Sequence, residues 1–265
     1  MLSRRLLAGA AATAAALVAL APGAAQAACR TDSYVALGDS YAAGTGSPPY
    51  TDAQCRRSDA GYPVLLAAKL HEKSFEFEAC AGATVQDVLD KQIDDLGRRT
   101  RLVTLTIGGN DLGFGTGINT CLTGTDADCE KVVDDAVTFS RDTLPGRLDR
   151  VYRAVHERAP HAKLVVADYA HFFETTPDCG SLPVSLVKRV ALNRAVDVLD
   201  QSIAQAAHRA GAGFADVRTA FAGHGLCGAD PWITNPAQTD PFHPTATGHL
   251  DGYLPAVSRA VAHHA

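Results

Sequence analysis

The chain predicts an α/β fold, a three-layer doubly wound sandwich around a central five-stranded parallel sheet in the flavodoxin-like order 2-1-3-4-5. Three observations predict it. Short apolar runs alternate with longer amphipathic stretches along the sequence. Several of the runs are continuous and carry β-branched residues, as strands buried on both faces do. Clusters of Asp, Gly and Pro separate the elements. Strand–helix alternation of this kind packs as a parallel sheet with right-handed crossovers, and ligands gather at the carboxyl ends of its strands.

The first 28 residues stand apart from that pattern. Met1-Leu2-Ser3-Arg4-Arg5 is a basic start, the stretch from Leu6 to Leu20 is apolar and Ala-rich, and Pro22 and Gly23 break it before Ala25-Gln26-Ala27. A charged start, an apolar middle and a small-x-small cleavage signature read as a secretory signal peptide over residues 1–28, so a secreted protein without a stable membrane anchor is expected. Ser3-Arg4-Arg5-Leu6-Leu7 loosely resembles a twin-arginine signal, which leaves the export route open. Residues 29–265, about 237 in number, suit one single-core domain. They contain no internal repeat, low-complexity linker or composition shift.

Within the domain, strands are expected over residues 33–37, 75–79, 102–107, 163–168 and 213–217. Helices are expected over 63–72, 85–96, 130–158, 186–209 and 246–263, with Pro63 suited to a first helical turn. Residues 46–59 and 113–129 read as long irregular loops, each tied by a cysteine. The first strand ends in Gly38-Asp39-Ser40, a tight turn that presents a serine where free N–H groups favour negative charge. The second runs into Cys80-Ala81-Gly82-Ala83-Thr84, a small-residue turn before a helix. The third runs into Gly108-Gly109-Asn110-Asp111, where two glycines let the backbone pass close to a ligand and Asn110 projects from the strand end. Asp240-Pro241-Phe242-His243-Pro244 precedes the last helix, and its two prolines can bring Asp240 and His243 together.

Composition narrows the partners. Without Arg4 and Arg5 the chain keeps 22 basic residues against 29 acidic, a net charge of about −7. No Lys/Arg cluster stands out, so nucleic acid and anionic membrane surfaces are poor electrostatic partners. Seven cysteines in an exported chain call for disulfides. The simplest pairing is sequential, Cys55–Cys80, Cys121–Cys129 and Cys179–Cys227, although other pairings are open; Cys29 is left over. The spacings match no zinc site, neither HExxH nor CxxC is present, and Asp126 and Asp128 are too few for a calcium loop.

Together these turns supply the parts of an acyl-transfer site. Ser40 is the candidate nucleophile, His243 its general base and Asp240 the residue that orients the imidazole. The N–H groups of Ser40 and Gly82, with the Asn110 side-chain amide, are the candidate oxyanion hole. Asp39 and Asp111 read as turn holders, Trp232 as core or pocket wall, and His263-His264 as a solvated tail.

The set Gly38-Asp39-Ser40, Gly82, Gly108-Gly109-Asn110-Asp111 and Asp240-x-x-His243 resembles the four blocks of the GDSL/SGNH hydrolase family, in the family's order and over nearly the whole mature chain. The spacing of the six internal cysteines is similar to that of its three-disulfide secreted bacterial lipases and phospholipases. The resemblance implies hydrolysis of carboxylic esters through an acyl-enzyme, with no metal and no cofactor. It also implies that a main-chain carbonyl near the histidine can do the work of Asp240, as in some relatives. A lipase or esterase, with phospholipase A activity within its range, is therefore expected; a carbohydrate O-acetylesterase is the runner-up and a non-catalytic binding domain of the same fold the second alternative. A monomer is expected. No amphipathic interfacial lid stands out, so strong interfacial activation is not.

Overall fold

β1 (Ser33–Gly38) lies at the middle of the chain's packing, buried from Tyr34 onward. The computed structural model describes residues 33–263 apart from 177, 181 and 183; the signal-peptide reading over 1–28, Cys29 and His264 lie outside the described residues. After β1 come α1 (Ser40–Ala43), a hairpin of β2 (Tyr50–Asp52) and β3 (Arg57–Ser58), α2 (Tyr62–Leu70), β4 (Phe75–Phe77) and α3 (Val85–Lys91). β5 (Thr100–Thr106), α4 (Phe114–Thr123), α5 (Asp126–Asp142), α6 (Leu144–Arg158) and β6 (Lys163–Ala167) follow. The chain closes with α7 (Leu186–Arg209), β7 (Gly213–Ala215), α8 (Arg218–Phe221) and α9 (Leu254–His263).

The central sheet has the order β4-β1-β5-β6-β7 with every pairing parallel. Counting its strands along the chain, this is the expected order 2-1-3-4-5. Leu37 pairs with Leu105 and Leu105 with Val166, all buried, so apolar side chains run across the middle of the sheet. α2 and α9 pack together on one side, while α3, α6 and α7 form a second group with α5 laid against α7. β1 therefore sits where the crossovers change direction, and its carboxyl end opens into the crevice between them.

Several expected boundaries move, each for a local reason. The helix expected over 130–158 is two helices. α5 starts earlier, at Asp126, because Thr125 and Asp128 form a capping box. It stops before α6 because Pro145 has no N–H to donate and its ring excludes a continuous turn. The expected loop 113–129 holds α4. Gly115, Gly117 and three threonines give that stretch poor intrinsic propensity, and apolar packing with the Cys121–Cys129 disulfide holds it helical instead. The expected loop 46–59 contains the β2–β3 hairpin. α3 ends at Lys91 rather than 96, because Gln92 turns inward and bonds both the N–H and the carbonyl of Gly38, at 2.8 and 2.9 Å. The last helix opens as a π-helical turn, Gly248–Tyr253, ahead of Pro255, which cannot donate the regular bond. β4, β6 and β7 stop one or two residues early. The disulfides are Cys55–Cys80, Cys121–Cys129 and Cys179–Cys227.

Candidate active site

Ser40 is the first residue of α1, immediately after β1, with Asp39 as the cap. Gly38 makes the turn possible: its φ is +132°, and a Cβ there would collide with the Thr106 carbonyl oxygen on β5. An Asp39 oxygen accepts from the Tyr41 N–H at 2.9 Å, and the Ser40 N–H at the head of the turn has no acceptor among the described residues. The Ser40 side chain faces a cavity of about 260 Å³ at the carboxyl end of the sheet.

His243 arrives from the other end of the chain and places Nε2 2.8 Å from Ser40 Oγ. Its Nδ1 lies 2.9 Å from the Pro241 carbonyl oxygen and 3.2 Å from that of Asp240. Both neighbours of Nδ1 only accept, so Nδ1 carries the proton and Nε2 is left to accept from the serine hydroxyl. Burial pushes the imidazole down to about 4, and the positive charge of Arg56 acts in the same direction against the Pro241 carbonyl. The ring is neutral at pH 7.

The Asp240 carboxylate does not meet the imidazole, contrary to the expectation for it. One of its oxygens accepts from Tyr50 Oη at 2.6 Å, and the other pairs with Arg56. The backbone explains this. Asp240 and Phe242 both have positive φ, 59° and 63°, and so compact a turn aims main-chain carbonyls at the ring while the acidic side chain points away, with 1% of it exposed. Main-chain carbonyls face Nδ1, the alternative that the family resemblance implied for the work of Asp240.

Asn110 begins a 3-10 turn after β5 and lines the cavity together with Ser40 and His243. Its Nδ2 donates to the Ala83 carbonyl at 2.9 Å, which uses one of two amide hydrogens and ties Asn110 to the turn that holds Gly82. Gly82 has φ +83°, and its turn is fastened by the Cys55–Cys80 disulfide and by a 3.0 Å bond from the Ala81 N–H to the Cys55 carbonyl. Asp111 takes the Val85 N–H at 2.9 Å and Arg147 at 2.7 Å, which anchors α3 and matches its reading as a turn holder. Trp232 stacks on His224, with ring centroids 3.6 Å apart, outside the cavity lining.

Three supporting side chains carry no sequence motif. Tyr169, just past β6, donates to Asp39 and accepts from the Gly109 N–H at 3.1 Å, joining the turns after β1 and β5. Burial raises Asp39 to about 7 despite these bonds. Tyr41 Oη donates to the Phe242 carbonyl. Thr234 Oγ1 accepts from the His243 N–H at 3.0 Å and donates to the Asp240 carbonyl at 2.7 Å. A tyrosine in an apolar run or a threonine in a loop has no pattern by which sequence could select it.

Much of the remaining wall is apolar, with Phe114, Ile118 and Leu122 of α4 lining it together with Phe172 and Phe242, and Asn119 of α4 adds one polar side chain. A hydroxyl, a neutral imidazole, the Ser40 N–H and the spare Asn110 amide hydrogen at one end of such a cavity suit attack on the carbonyl of a substrate with an apolar acyl part; Gly82 lies outside the cavity lining.

Comparison with known proteins gives the family and several relatives. The model of the GDSL-like lipase/acylhydrolase family matches residues 36–250. Lipase 1 of Streptomyces coelicolor is 41% identical over 260 residues, covering 96% of this chain and 94% of that protein. The crystal structure of phospholipase A1 from Streptomyces albidoflavus superimposes with a TM-score of 0.84 at 41% identity, over 87% of this chain and 100% of that one. The extracellular lipase of Streptomyces rimosus gives a TM-score of 0.82 at 40% identity, with the same coverage.

Proposed function

The chain belongs to the GDSL-like lipase/acylhydrolase family and is a serine ester hydrolase, and on that premise we propose that Ser40 attacks the carbonyl carbon of fatty-acyl esters with His243 as its base. Nε2 takes the hydroxyl proton as the Ser40 Oγ–carbon bond forms. The oxygen that becomes negative is received by the N–H groups of Ser40 and Gly82 and by the spare amide hydrogen of Asn110. Collapse of this intermediate breaks the bond to the leaving alcohol, which takes the proton back from Nε2. Water then releases the acyl group from Ser40 with the same base. The Pro241 carbonyl holds Nδ1–H in place and stabilises the imidazolium, while Asp240 anchors the loop through Arg56 and Tyr50.

The observation that carries this reading is the 2.8 Å approach of His243 Nε2 to Ser40 Oγ, with Nδ1 on a carbonyl. The apolar cavity and the relatives named lipase and phospholipase A1 support lipid esters as substrates. The export signature over 1–28, three disulfides and a relative named as an extracellular lipase support secretion of residues 29–265 as one catalytic domain. No helix among the described residues is long and apolar enough to cross a membrane. We infer a monomer.

Hydrolysis of p-nitrophenyl esters from acetyl to palmitoyl, then of phosphatidylcholine, by wild type and Ser40→Ala tests the reading. Activity on medium or long chains that disappears in Ser40→Ala is expected. Activity confined to acetyl esters would replace it with carbohydrate deacetylation, and organophosphonate labelling retained in Ser40→Ala would remove Ser40 as the nucleophile.

A further inference from the structure

We propose that α4 measures the acyl group, with Gly115 setting the width of the cavity and Leu122 its reach; this rests on the fatty-acyl ester reading above. α4 starts four residues after Asn110, so its first turn lies next to the oxyanion donors and its last turn is the far end of the wall. Phe114, Ile118 and Leu122 recur every fourth residue and share one face, which lines the cavity. From Phe114 to Leu122 the helix rises about 12 Å at ~1.5 Å per residue. An extended chain advances about 1.2 Å per bond, so that wall matches roughly ten bonds of an acyl chain.

Gly115 stands on the same wall, one position from Phe114. A Cβ built there meets no heavy atom within 4 Å, so a side chain at 115 would enter space left to substrate. Gly113 is equally open but does not line the cavity, and Gly117 and Gly109 differ. At Gly117 a Cβ would rest 3.7 Å from Val132 of α5, and at Gly109 it would meet Phe114 at 3.0 Å, so both pack against protein. Phe114 is itself held edge-on by Phe172 and Tyr169, with centroids 5.6 and 6.3 Å apart. The Cys121–Cys129 disulfide fastens the far end of α4 to α5, so the wall is a fixed length and not an adaptable flap.

The test compares kcat/KM across the acetyl-to-palmitoyl series for wild type, Gly115→Leu and Leu122→Ala, with phosphonate labelling of Ser40 to count intact sites. Gly115→Leu should move the optimum to shorter chains and lower the decanoyl-to-butyryl ratio by at least about tenfold, the contact of about two methylenes. Leu122→Ala should shift the profile towards longer chains, and it carries the test alone if Gly115→Leu does not fold. Profiles that superimpose on wild type, or that fall equally at every length, would overturn the role of α4. A wild type that labels but cleaves no ester would instead overturn the fatty-acyl reading.

Discussion

Tyr41, the residue after Ser40, donates a 2.7 Å hydrogen bond from Oη to the carbonyl of Phe242, the residue before His243, across 201 positions of the chain. The two halves of the proposed nucleophile–base pair are thus joined by a neighbour of each. The rings of Tyr41 and His243 also lie 5.4 Å apart. Tyr41→Phe keeps the ring and removes only the bond. It should cost about 1 kcal/mol or slightly more in urea unfolding, since a buried carbonyl loses its donor. Because the histidine loop is then less well aimed, kcat should fall by about tenfold with little change in KM. A parent-like kcat would show that the loop is held without it.

Asp240 and His243 should behave very differently on substitution. The carboxylate serves Arg56 and Tyr50 while a carbonyl holds the imidazole. Asp240→Asn gives up an ion pair with a half-exposed partner and should reduce kcat by less than about tenfold. His243→Ala removes the proposed base and should cost about 10² to 10⁴. Similar losses in the two variants would return the orienting role to the carboxylate.

Asn110→Ala should lower kcat by about 10² to 10³ while KM stays nearly constant, because its spare amide hydrogen is needed only as charge develops on the oxygen. The crossed bond to Ala83 is lost too, so circular dichroism and a melting curve should accompany the kinetics. A change confined to KM would place Asn110 in substrate binding instead.

The acid limb of the pH–rate profile should be displaced. The base works only when neutral, and burial holds His243 down at about 4, so kcat/KM for a soluble short-chain ester should stay high through pH 5 and fall as pH drops through about 4. Arg56 disfavours the imidazolium, so Arg56→Gln should move the midpoint upward. A wild-type midpoint near the ordinary imidazole value of about 6.5 would contradict the buried, neutral state of the ring.

The placing of Ser40, Gly82, Asn110 and His243 at strand ends and turns was legible in the sequence because those signals are local, and the order of the sheet followed from the strand–helix alternation. A buried parallel strand writes itself as a continuous apolar run. A turn beside a site needs Gly, Asp or Asn at particular positions, and Gly38 is required where β1 presses on Thr106. The helix α4 was hidden, because glycine and threonine signal a loop and only packing and the Cys121–Cys129 bond make the segment helical. The direction of the Asp240 side chain was hidden as well. That choice lies between an imidazole three residues away and an Arg56–Tyr50 pair nearly two hundred residues earlier. Tyr41, Tyr169 and Thr234 bind partners that folding alone brings within reach. By itself, then, the sequence determined the fold, the candidate reacting groups and the turns that display them. Tertiary structure decided which atom holds the histidine and which wall shapes the cavity, because both depend on contacts between segments far apart in the chain.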